Sequence, residues 1–141
     1  MNCSRGNVAL TILLLTALSI GAEIVGASHG VEELLNNVAA ERLKSLMDAG
    51  EKLILFDLRP AKEFQEQRLP GARSLPLAEF DKRDHEVPRS GRVILYCDCL
   101  LYQLAEKFQR LESQGYRNVG VMLDGYRGWV KLGYPIETGR K

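Results

Sequence analysis

Two patterns of apolar residues alternate along the chain from residue 38 onward. Residues 38–48 carry apolar side chains at helical spacing, and Gly50 follows them as glycine typically follows the end of a helix. Residues 53–56 form a continuous apolar run of strand length, which is typical of a strand that helices cover on both faces. The alternation predicts a single α/β domain.

The alternation continues towards the C-terminus. Pro60 is expected in the first turn of a second helix, where its missing N–H costs nothing, and residues 69–71 predict a turn after that helix. Three further elements are predicted: a second buried strand over 93–96, a helix from Leu101 to Gln114-Gly115 and a third strand over 119–123. Right-handed helical crossovers between such strands give an open parallel sheet with helices on both faces.

Cys97 directly follows the second predicted strand. Ligands of open parallel sheets bind in the crevice beyond the carboxyl ends of the strands, so this thiol is expected at the binding edge. A helix that begins near Leu101 would place its positive end and its unpaired N–H groups close to the sulfur. Both features stabilise a thiolate.

The N-terminal segment has a different character. Residues 1–27 hold 16 apolar residues, and residues 8–20 carry no charge. A polar start with Arg5, an apolar run and a small-residue stretch that ends at Ala27 are typical of a secretory signal peptide, with cleavage near Ala27. Alternatively, residues 8–25 approach the about 20 residues that span a bilayer and would form an uncleaved membrane anchor. Both alternatives place the rest of the chain outside the cytoplasm, in the periplasm or secreted.

Composition limits the function classes. The 19 lysines and arginines against 18 aspartates and glutamates leave a charge of +1, which gives no electrostatic reason to expect nucleic-acid binding. The apolar fraction of 45% is too high for a disordered chain. Removing residues 1–27 from the 141 leaves 114, a length that suits one compact domain.

Three cysteines, Cys3, Cys97 and Cys99, are too few for a disulfide framework, and Cys3 lies in the export segment. A metal site on the other two would need further ligands, and His29 and His85 have no supporting motif. We therefore expect no metal and no cofactor.

Several separated motifs resemble the rhodanese-like domain family over residues 37–137. They are Asp57-Leu58-Arg59 with Glu63-Phe64, Leu69-Pro70-Gly71-Ala72, Ile94-Leu95-Tyr96-Cys97, Gly115-Tyr116-Arg117-Asn118-Val119, Asp124-Gly125-Tyr126-Arg127-Gly128-Trp129 and Gly133-Tyr134-Pro135. The resemblance implies the family's open parallel sheet over these residues. Residues 28–36 are then a short linker, and residues 138–141 a C-terminal tail.

The resemblance implies that Cys97 is a nucleophile that takes a sulfane sulfur from a donor, holds it as a persulfide and passes it on. The donor would be thiosulfate, a polysulfide or a persulfide, and the acceptor a thiol or a protein. Backbone amides of the loop formed by Asp98, Leu100, Leu101 and Tyr102 would cradle the anion. A free cysteine, with a pKa of about 8.5, is only slightly ionised at pH 7, so such help is needed.

The loop after Cys97 departs from the family pattern, because it holds neither glycine nor arginine. Asp98 instead adds a negative charge, which disfavours a thiolate and repels an anionic donor unless the carboxylate is turned away or paired. Arg68 and Arg127 are the candidate compensating cations and substrate-binding groups.

Cys99 is the second departure. It is a candidate resolving thiol that attacks a Cys97 persulfide, a partner for a Cys97–Cys99 disulfide, or a small apolar residue in the core. Asp57, Arg59, Glu63 and Trp129 are expected to be structural rather than catalytic. The mixed charges of residues 82–86 predict a solvated loop.

Two function classes follow from these observations. The first is an extracytoplasmic sulfurtransferase or persulfide carrier that works through Cys97. The second is a non-catalytic binding or redox-sensing module on the same fold, which the arginine-free loop and Asp98 favour. A phosphatase-like or reductase-like use of the fold is a further alternative, although phosphate recognition would want a loop arginine. Contact with a membrane is expected only through residues 8–25, and only if this segment is not cleaved.

Overall fold

A four-stranded parallel sheet forms the centre of the fold in the computed structural model, which describes residues 34–139. In chain order the elements are α1 Ala40–Asp48, β1 Leu53–Asp57, α2 Ala61–Glu66, β2 Gln67–Arg68, β3 Arg73–Ser74, α3 Phe80–Arg83, a 3-10 helix Asp84–Glu86, β4 Arg92–Tyr96, α4 Leu101–Ser113, β5 Val119–Met122, α5 Gly125–Lys131 and β6 Glu137–Thr138. The sheet order is β3-β1-β4-β5, so β1 and β4 are the central strands. The predicted α/β fold with a parallel sheet is confirmed.

Helices cover both faces of this sheet, as the continuous apolar runs predict. Alternate residues of β4 point to opposite sides: Val93 and Leu95 pack on the side of α4, and Ile94 and Tyr96 pack on the side of α1 and α5. All four are buried. Burial of one such large apolar side chain stabilises a fold by about 1.5–3 kcal/mol, so the two layers hold β4 firmly where it ends at Cys97.

Two predicted element ends shift by one or two residues, and long-range hydrogen bonds explain both shifts. Helix α1 begins at Ala40 rather than at Val38, because the Val38 N–H donates to the Val121 carbonyl at 2.8 Å and extends along β5. Strand β5 ends at Met122 rather than at Leu123, whose N–H donates to Asn37 Oδ1 at 3.1 Å. A third prediction shifts by one residue for a local reason: Pro60 is the N-cap residue of α2, so it precedes the first turn instead of lying in it.

The prediction of a solvated loop over residues 82–86 is wrong about the loop, although Lys82, His85 and Glu86 are exposed as predicted. The segment is helical, with α3 followed directly by the 3-10 helix. Phe80 is fully buried and anchors the first turn, while Arg83 binds Glu79 Oε2 and Glu86 Oε1, each at 2.6 Å. Opposite charges at these helical spacings stabilise a helix, which explains why mixed charge did not mean irregular structure here.

A two-stranded antiparallel ribbon, which the sequence did not predict, closes the fold. It pairs β2 with β6, each two residues long, with Gln67 opposite Thr138 and Arg68 opposite Glu137. This ribbon ties the segment before the 69–71 turn to the end of the described chain. The turn itself is observed where it was predicted, with Gly71 at φ +74°, a conformation that favours glycine.

The predictions for the N-terminus lie outside the described residues. These are the signal peptide or anchor over residues 1–27 and most of the linker over 28–36. Within residues 34–139, no helix is long and apolar enough to cross a membrane.

Candidate functional site

Cys97 lies at the carboxyl edge of the sheet, one residue beyond β4. It is 6% exposed and lies beside a cavity of about 260 Å³. Residues from three connections after sheet strands and from helices α2 and α5 line this cavity: Leu58, Arg59, Pro60, Glu63, Pro76, Leu77, Ala78, Cys97, Asp98, Cys99 and Arg127. The cavity therefore lies where ligands of open parallel sheets bind.

Cys97 and Cys99 are joined by a disulfide. Their Cα atoms are 5.2 Å apart, inside the range that a disulfide spans without backbone movement. Both cysteines line the same cavity. One of the arrangements expected for Cys99 is therefore the observed one, and reduction of this bond would release two adjacent thiols beside the cavity.

The loop after Cys99 leads directly into α4. The Leu100 N–H donates to Gln103 Oε1 at 3.1 Å, so this amide is already occupied by the helix's own side chain. The N–H groups of Leu101 and Tyr102 belong to the first turn of α4, where a helix supplies no acceptors of its own. The Leu100, Leu101 and Tyr102 side chains are exposed. Of the loop amides expected to cradle an anion, the Leu100 amide is thus engaged elsewhere.

The Asp98 carboxylate faces α5. Its Oδ1 accepts a hydrogen bond from the Arg127 backbone N–H at 2.9 Å, and its Oδ2 is 3.7 Å from Arg127 Nε. Gly125 allows this close approach, because a Cβ there would collide with the Cys97 carbonyl and with Asp98 Oδ1, and its φ is +65°. The carboxylate beside Cys97 is thereby paired, the condition under which it opposes a thiolate least.

Arg59 forms one wall of the cavity and is held by a buried ion pair. Its Nη2 donates to Asp57 Oδ2 at 2.6 Å and to the Gln67 carbonyl at 2.7 Å, and its guanidinium lies 3.8 Å from the centre of the Tyr126 ring. Burial by itself lowers the pKa of Arg59, but the hydrogen bonds and charge of Asp57 outweigh this and raise it. Arg59 therefore stays charged while its charge is largely neutralised by Asp57.

Tyr96 completes this network beneath Cys97. Its hydroxyl donates to Asp57 Oδ2 at 2.7 Å and accepts from the Leu69 N–H at 3.2 Å. Burial, and then the charge of Asp57, raise the pKa of Tyr96, so the hydroxyl keeps its proton and remains a donor. The network joins the ends of β1 and β4 at the floor of the site.

Arg68 lies away from the residues that line the Cys97 cavity. It is 3% exposed, and its Nη1 donates to the Phe64 carbonyl at 3.2 Å and to the Gly139 carbonyl at 2.6 Å, while its Nε binds Glu137 at 3.2 Å. Glu137 also accepts the Gly71 N–H at 2.9 Å. The expectation that Arg68 binds substrate is not supported by this placement, because its donors join the ribbon to the 69–71 turn.

Two further residues that the sequence predicted to be structural, Glu63 and Trp129, lie in different parts of the fold. Glu63 lines the cavity, with its carboxylate 3.8 Å from Arg59 Nη1 and half exposed. Trp129 is fully buried in the α1–α5 layer and donates from Nε1 to the Pro135 carbonyl at 2.8 Å. Among residues 34–139, no group of three or more His, Cys, Asp or Glu side chains is arranged to hold a metal ion.

Sequence reasoning missed that Arg59 and Glu63 line the cavity next to the cysteines. A signal was available, because Arg59 follows the end of β1 by two residues, and β1 and β4 are neighbours in a parallel sheet. The carboxyl ends of neighbouring parallel strands meet at one edge, so Arg59 was a candidate for the site. Glu63 lies inside α2, and strand order alone does not indicate its position.

Several known proteins have sequences similar to this chain. The sequence model of the Rhodanese-like domain matches residues 39–132. A sulfurtransferase of Allochromatium vinosum is 29% identical over 105 residues, which cover 73% of this chain and 95% of that protein. A helix-turn-helix-type transcriptional regulator of Mycobacterium tuberculosis is 32% identical over 92 residues, which cover 65% of this chain and 40% of the regulator.

A solved structure supports the same relationship. The crystal structure of a thiosulfate sulfurtransferase from Pseudomonas aeruginosa superposes with a TM-score of 0.65 at 30% identity and covers 78% of this chain and 21% of that one. The chain thus spans less than half of the regulator and of the Pseudomonas enzyme. Because the family model matches about two thirds of the sequence and the parallel sheet brings Cys97 to its carboxyl edge, the chain belongs to the rhodanese-like domain family.

Proposed function

We propose that this protein is a rhodanese-type sulfurtransferase or persulfide carrier in which Cys97 holds the sulfane sulfur. The observation that carries the proposal is the position of Cys97, one residue beyond a central parallel strand, beside a cavity of about 260 Å³ and ahead of the first turn of α4. The named sulfurtransferases among its relatives support it.

The reaction starts from the dithiol form of the protein. The Cys97 thiolate attacks the outer sulfur of the donor, the sulfur–sulfur bond of the donor breaks, and sulfite leaves from thiosulfate or a thiolate leaves from a persulfide. The N–H groups of Leu101 and Tyr102, in the first turn of α4, favour the negative charge on the attacking sulfur and on the resulting persulfide. A nucleophilic acceptor then takes the outer sulfur and regenerates the Cys97 thiolate.

Cys99 offers an internal exit for the sulfur. Its thiolate attacks Cys97 Sγ in the persulfide, the bond to the outer sulfur breaks, and hydrosulfide leaves while the Cys97–Cys99 disulfide forms. This step would form the same Cys97–Cys99 bond that the structure contains, which supports the proposal. A thiol or dithiol reductant must then donate two electrons to restore the dithiol form. Release of sulfur through Cys99 therefore consumes a reductant, whereas transfer to an external acceptor does not.

Intact-mass spectrometry of the full chain tests this proposal. The protein is reduced with a dithiol, freed of reductant and incubated with thiosulfate or with a cysteine persulfide. We expect an added mass of one sulfur that is absent in Cys97→Ser, longer-lived in Cys99→Ser and unaffected in Cys3→Ser, the matched cysteine control. The absence of an adduct with both donors, or an adduct that survives Cys97→Ser, would show that the proposal is wrong.

A redox-sensing or binding module is the second candidate, and the Cys97–Cys99 disulfide favours it. Such a module would form and reopen the disulfide reversibly with a mild oxidant and a dithiol, yet would take up sulfur from neither donor. The same mass measurement separates the two candidates, because disulfide formation removes two hydrogens whereas loading adds a sulfur.

We also propose that the domain works outside the cytoplasm. The support is the signal-like pattern of residues 1–27, with residues 8–25 as the alternative anchor. Expression of the chain fused to a reporter that is active only after export tests this, and deletion of residues 1–27 is the control. Equal reporter activity with and without the segment would contradict the proposal.

A further inference from the structure

The cavity at Cys97 adjoins a second chamber of about 220 Å³. The two spaces share Arg59, Glu63, Asp98 and Arg127 as lining residues. The space near Cys97 has an apolar wall that includes Pro60, Pro76 and Leu77, whereas the second chamber is lined mainly by charged and polar side chains. A ligand that extends from the sulfur across this boundary would therefore need an apolar part followed by a charged part.

The charges around the cavity do not favour an anion. Two carboxylates, Glu63 and Asp98, and two guanidinium groups, Arg59 and Arg127, line the Cys97 cavity, and the buried Asp57 behind Arg59 brings the formal charge to −1. Glu66 adds a further carboxylate in the second chamber. Arg59 donates hydrogen bonds from two of its nitrogens to the buried Asp57 carboxylate, so its charge attracts an anionic ligand only weakly. A thiosulfate dianion would enter a site of its own sign, and the Cys97 thiolate would add a further negative charge.

Two groups of opposite sign nevertheless remain accessible to a ligand. The Glu63 side chain is 49% exposed and touches Arg59 only at 3.8 Å. The Arg127 side chain is 87% exposed, and its Nε lies 3.7 Å from Asp98. A carboxylate and a guanidinium that both line the same two spaces form the complement of a ligand that carries an ammonium group and a carboxylate.

We infer that the sulfur donor of this site is the persulfide of an amino acid or short peptide, with its ammonium group at Glu63 and its carboxylate at Arg127. The inference rests on the proposed function and narrows its donor class. The volume agrees, because about 260 Å³ with an adjoining chamber approaches the about 300 Å³ at which pockets for small organic ligands begin, whereas thiosulfate has only five heavy atoms. The apolar wall receives the methylene group that carries the donor sulfur.

The transfer balances without any oxidant or reductant. The Cys97 thiolate attacks the outer sulfur of the donor persulfide, a new bond forms between Cys97 Sγ and that sulfur, and the bond between the two donor sulfurs breaks. The donor thiolate leaves and takes up a proton, which balances the one that the Cys97 thiol lost when it ionised. The sulfane sulfur keeps its oxidation state, so the only requirement is that the Cys97–Cys99 disulfide has been reduced beforehand.

Donors that lack one charge at a time test the inference. The loading rate of the reduced full chain, expressed as kcat/KM, is measured with cysteine persulfide, with the persulfide of 3-mercaptopropionate, which lacks the ammonium group, and with that of cysteamine, which lacks the carboxylate. Thiosulfate is the fourth donor. We expect cysteine persulfide to be favoured over each truncated donor by roughly two- to fivefold, the upper part of the range for an exposed charge pair, and thiosulfate to be the poorest.

The variants Glu63→Gln and Arg127→Gln assign each charge to its partner. Glu63→Gln should lower kcat/KM by the same factor for the two donors with an ammonium group and leave the mercaptopropionate persulfide unchanged. Arg127→Gln should do so for the two donors with a carboxylate and spare the cysteamine persulfide. Lys131→Gln, which removes an exposed charge from the same helix as Arg127, is the matched control and should leave all four rates unchanged.

The outcomes separate this inference from the function on which it rests. Equal rates for cysteine persulfide and the truncated donors, or a higher rate for thiosulfate, would overturn the inference while leaving sulfur transfer intact. Losses in Glu63→Gln that do not depend on the donor would also overturn it. If no donor loads Cys97, the proposed function itself fails.

Discussion

Replacing Asp57 by asparagine tests the buried network that holds Arg59 at the cavity wall. The Asp57 carboxylate is fully buried and accepts hydrogen bonds from the Arg59 backbone N–H at 2.9 Å, from Arg59 Nη2 at 2.6 Å and from the Tyr96 hydroxyl at 2.7 Å. An asparagine would leave the buried guanidinium with only the half-exposed Glu63 carboxylate, 3.8 Å away, as a counter-charge. Because removing one partner of a buried pair costs about 3–5 kcal/mol, Asp57→Asn should lower the free energy of unfolding by that amount.

Two further variants provide reference values for the loss of stability in Asp57→Asn. Glu63→Gln removes a carboxylate that lies 3.8 Å from the same guanidinium but is half exposed, and this is expected to cost less than about 1 kcal/mol. Tyr96→Phe removes one charged hydrogen bond and leaves the Leu69 N–H without its acceptor, which should cost about 1.5–3 kcal/mol. The milder Tyr96→Phe keeps the test possible if Asp57→Asn does not fold.

Equilibrium urea unfolding at pH 7 measures these differences, with the fluorescence of the buried Trp129 as the probe. The slope of the transition should stay the same while its midpoint shifts. If Asp57→Asn cost less than Glu63→Gln, the reasoning that burial decides the strength of this pair would be refuted. Loss of sulfur loading in Asp57→Asn is expected only to the extent that the variant is unfolded at the assay temperature.

Three other substitutions have expected outcomes that follow from the structure. Gly125→Ala should lower the free energy of unfolding by at least about 1–2 kcal/mol and slow sulfur loading, because its φ of +65° is unfavourable for alanine and a Cβ would displace the Cys97 carbonyl. A thermal melt and the loading assay measure these effects, and an unchanged loading rate would contradict the prediction. Asp84→Asn should destabilise the protein at pH 7 but progressively less below about pH 4, because hydrogen bonding from Gln114 lowers the pKa of Asp84 in the folded state. The stabilisation is present above the pKa of the unfolded state and is lost as the pH falls through the pKa of the folded state. Urea unfolding of the variant and of the unsubstituted protein at pH 7 and pH 3 measures this difference. Arg68→Lys should lower the melting temperature without changing the KM for any donor, because its donors serve the ribbon; a raised KM in a folded variant would restore Arg68 as a substrate-binding residue.

Much of the fold follows from local pattern in the sequence. Continuous apolar runs predict β1, β4 and β5, and helical spacing predicts α1 and α4, because buried strands and amphipathic helices leave different periods along a chain. The two-residue strands β2, β3 and β6 are too short to leave a period. Their pairing depends on contacts with residues far away in the chain, so no local signal announces them.

The position of Cys97 was also readable in advance. A residue that directly follows a buried parallel strand lies at the carboxyl edge, whatever the rest of the sheet contains, and Cys97 follows β4 in this way. The Cys-x-Cys spacing likewise allows the disulfide with Cys99, since two residues of separation bring the Cα atoms to 5.2 Å.

The charges around that sulfur were decided only by the tertiary structure. Asp98 follows Cys97 in sequence, yet its carboxylate is bound by Arg127, 29 residues further on. Arg68 pairs with Glu137, 69 residues away, and Arg59 is neutralised by Asp57 under the stacked ring of Tyr126. The sequence determines which element carries a side chain and at which edge it ends, because backbone periodicity is local. Which charge faces the cavity depends on side-chain partners that only the packed elements bring together.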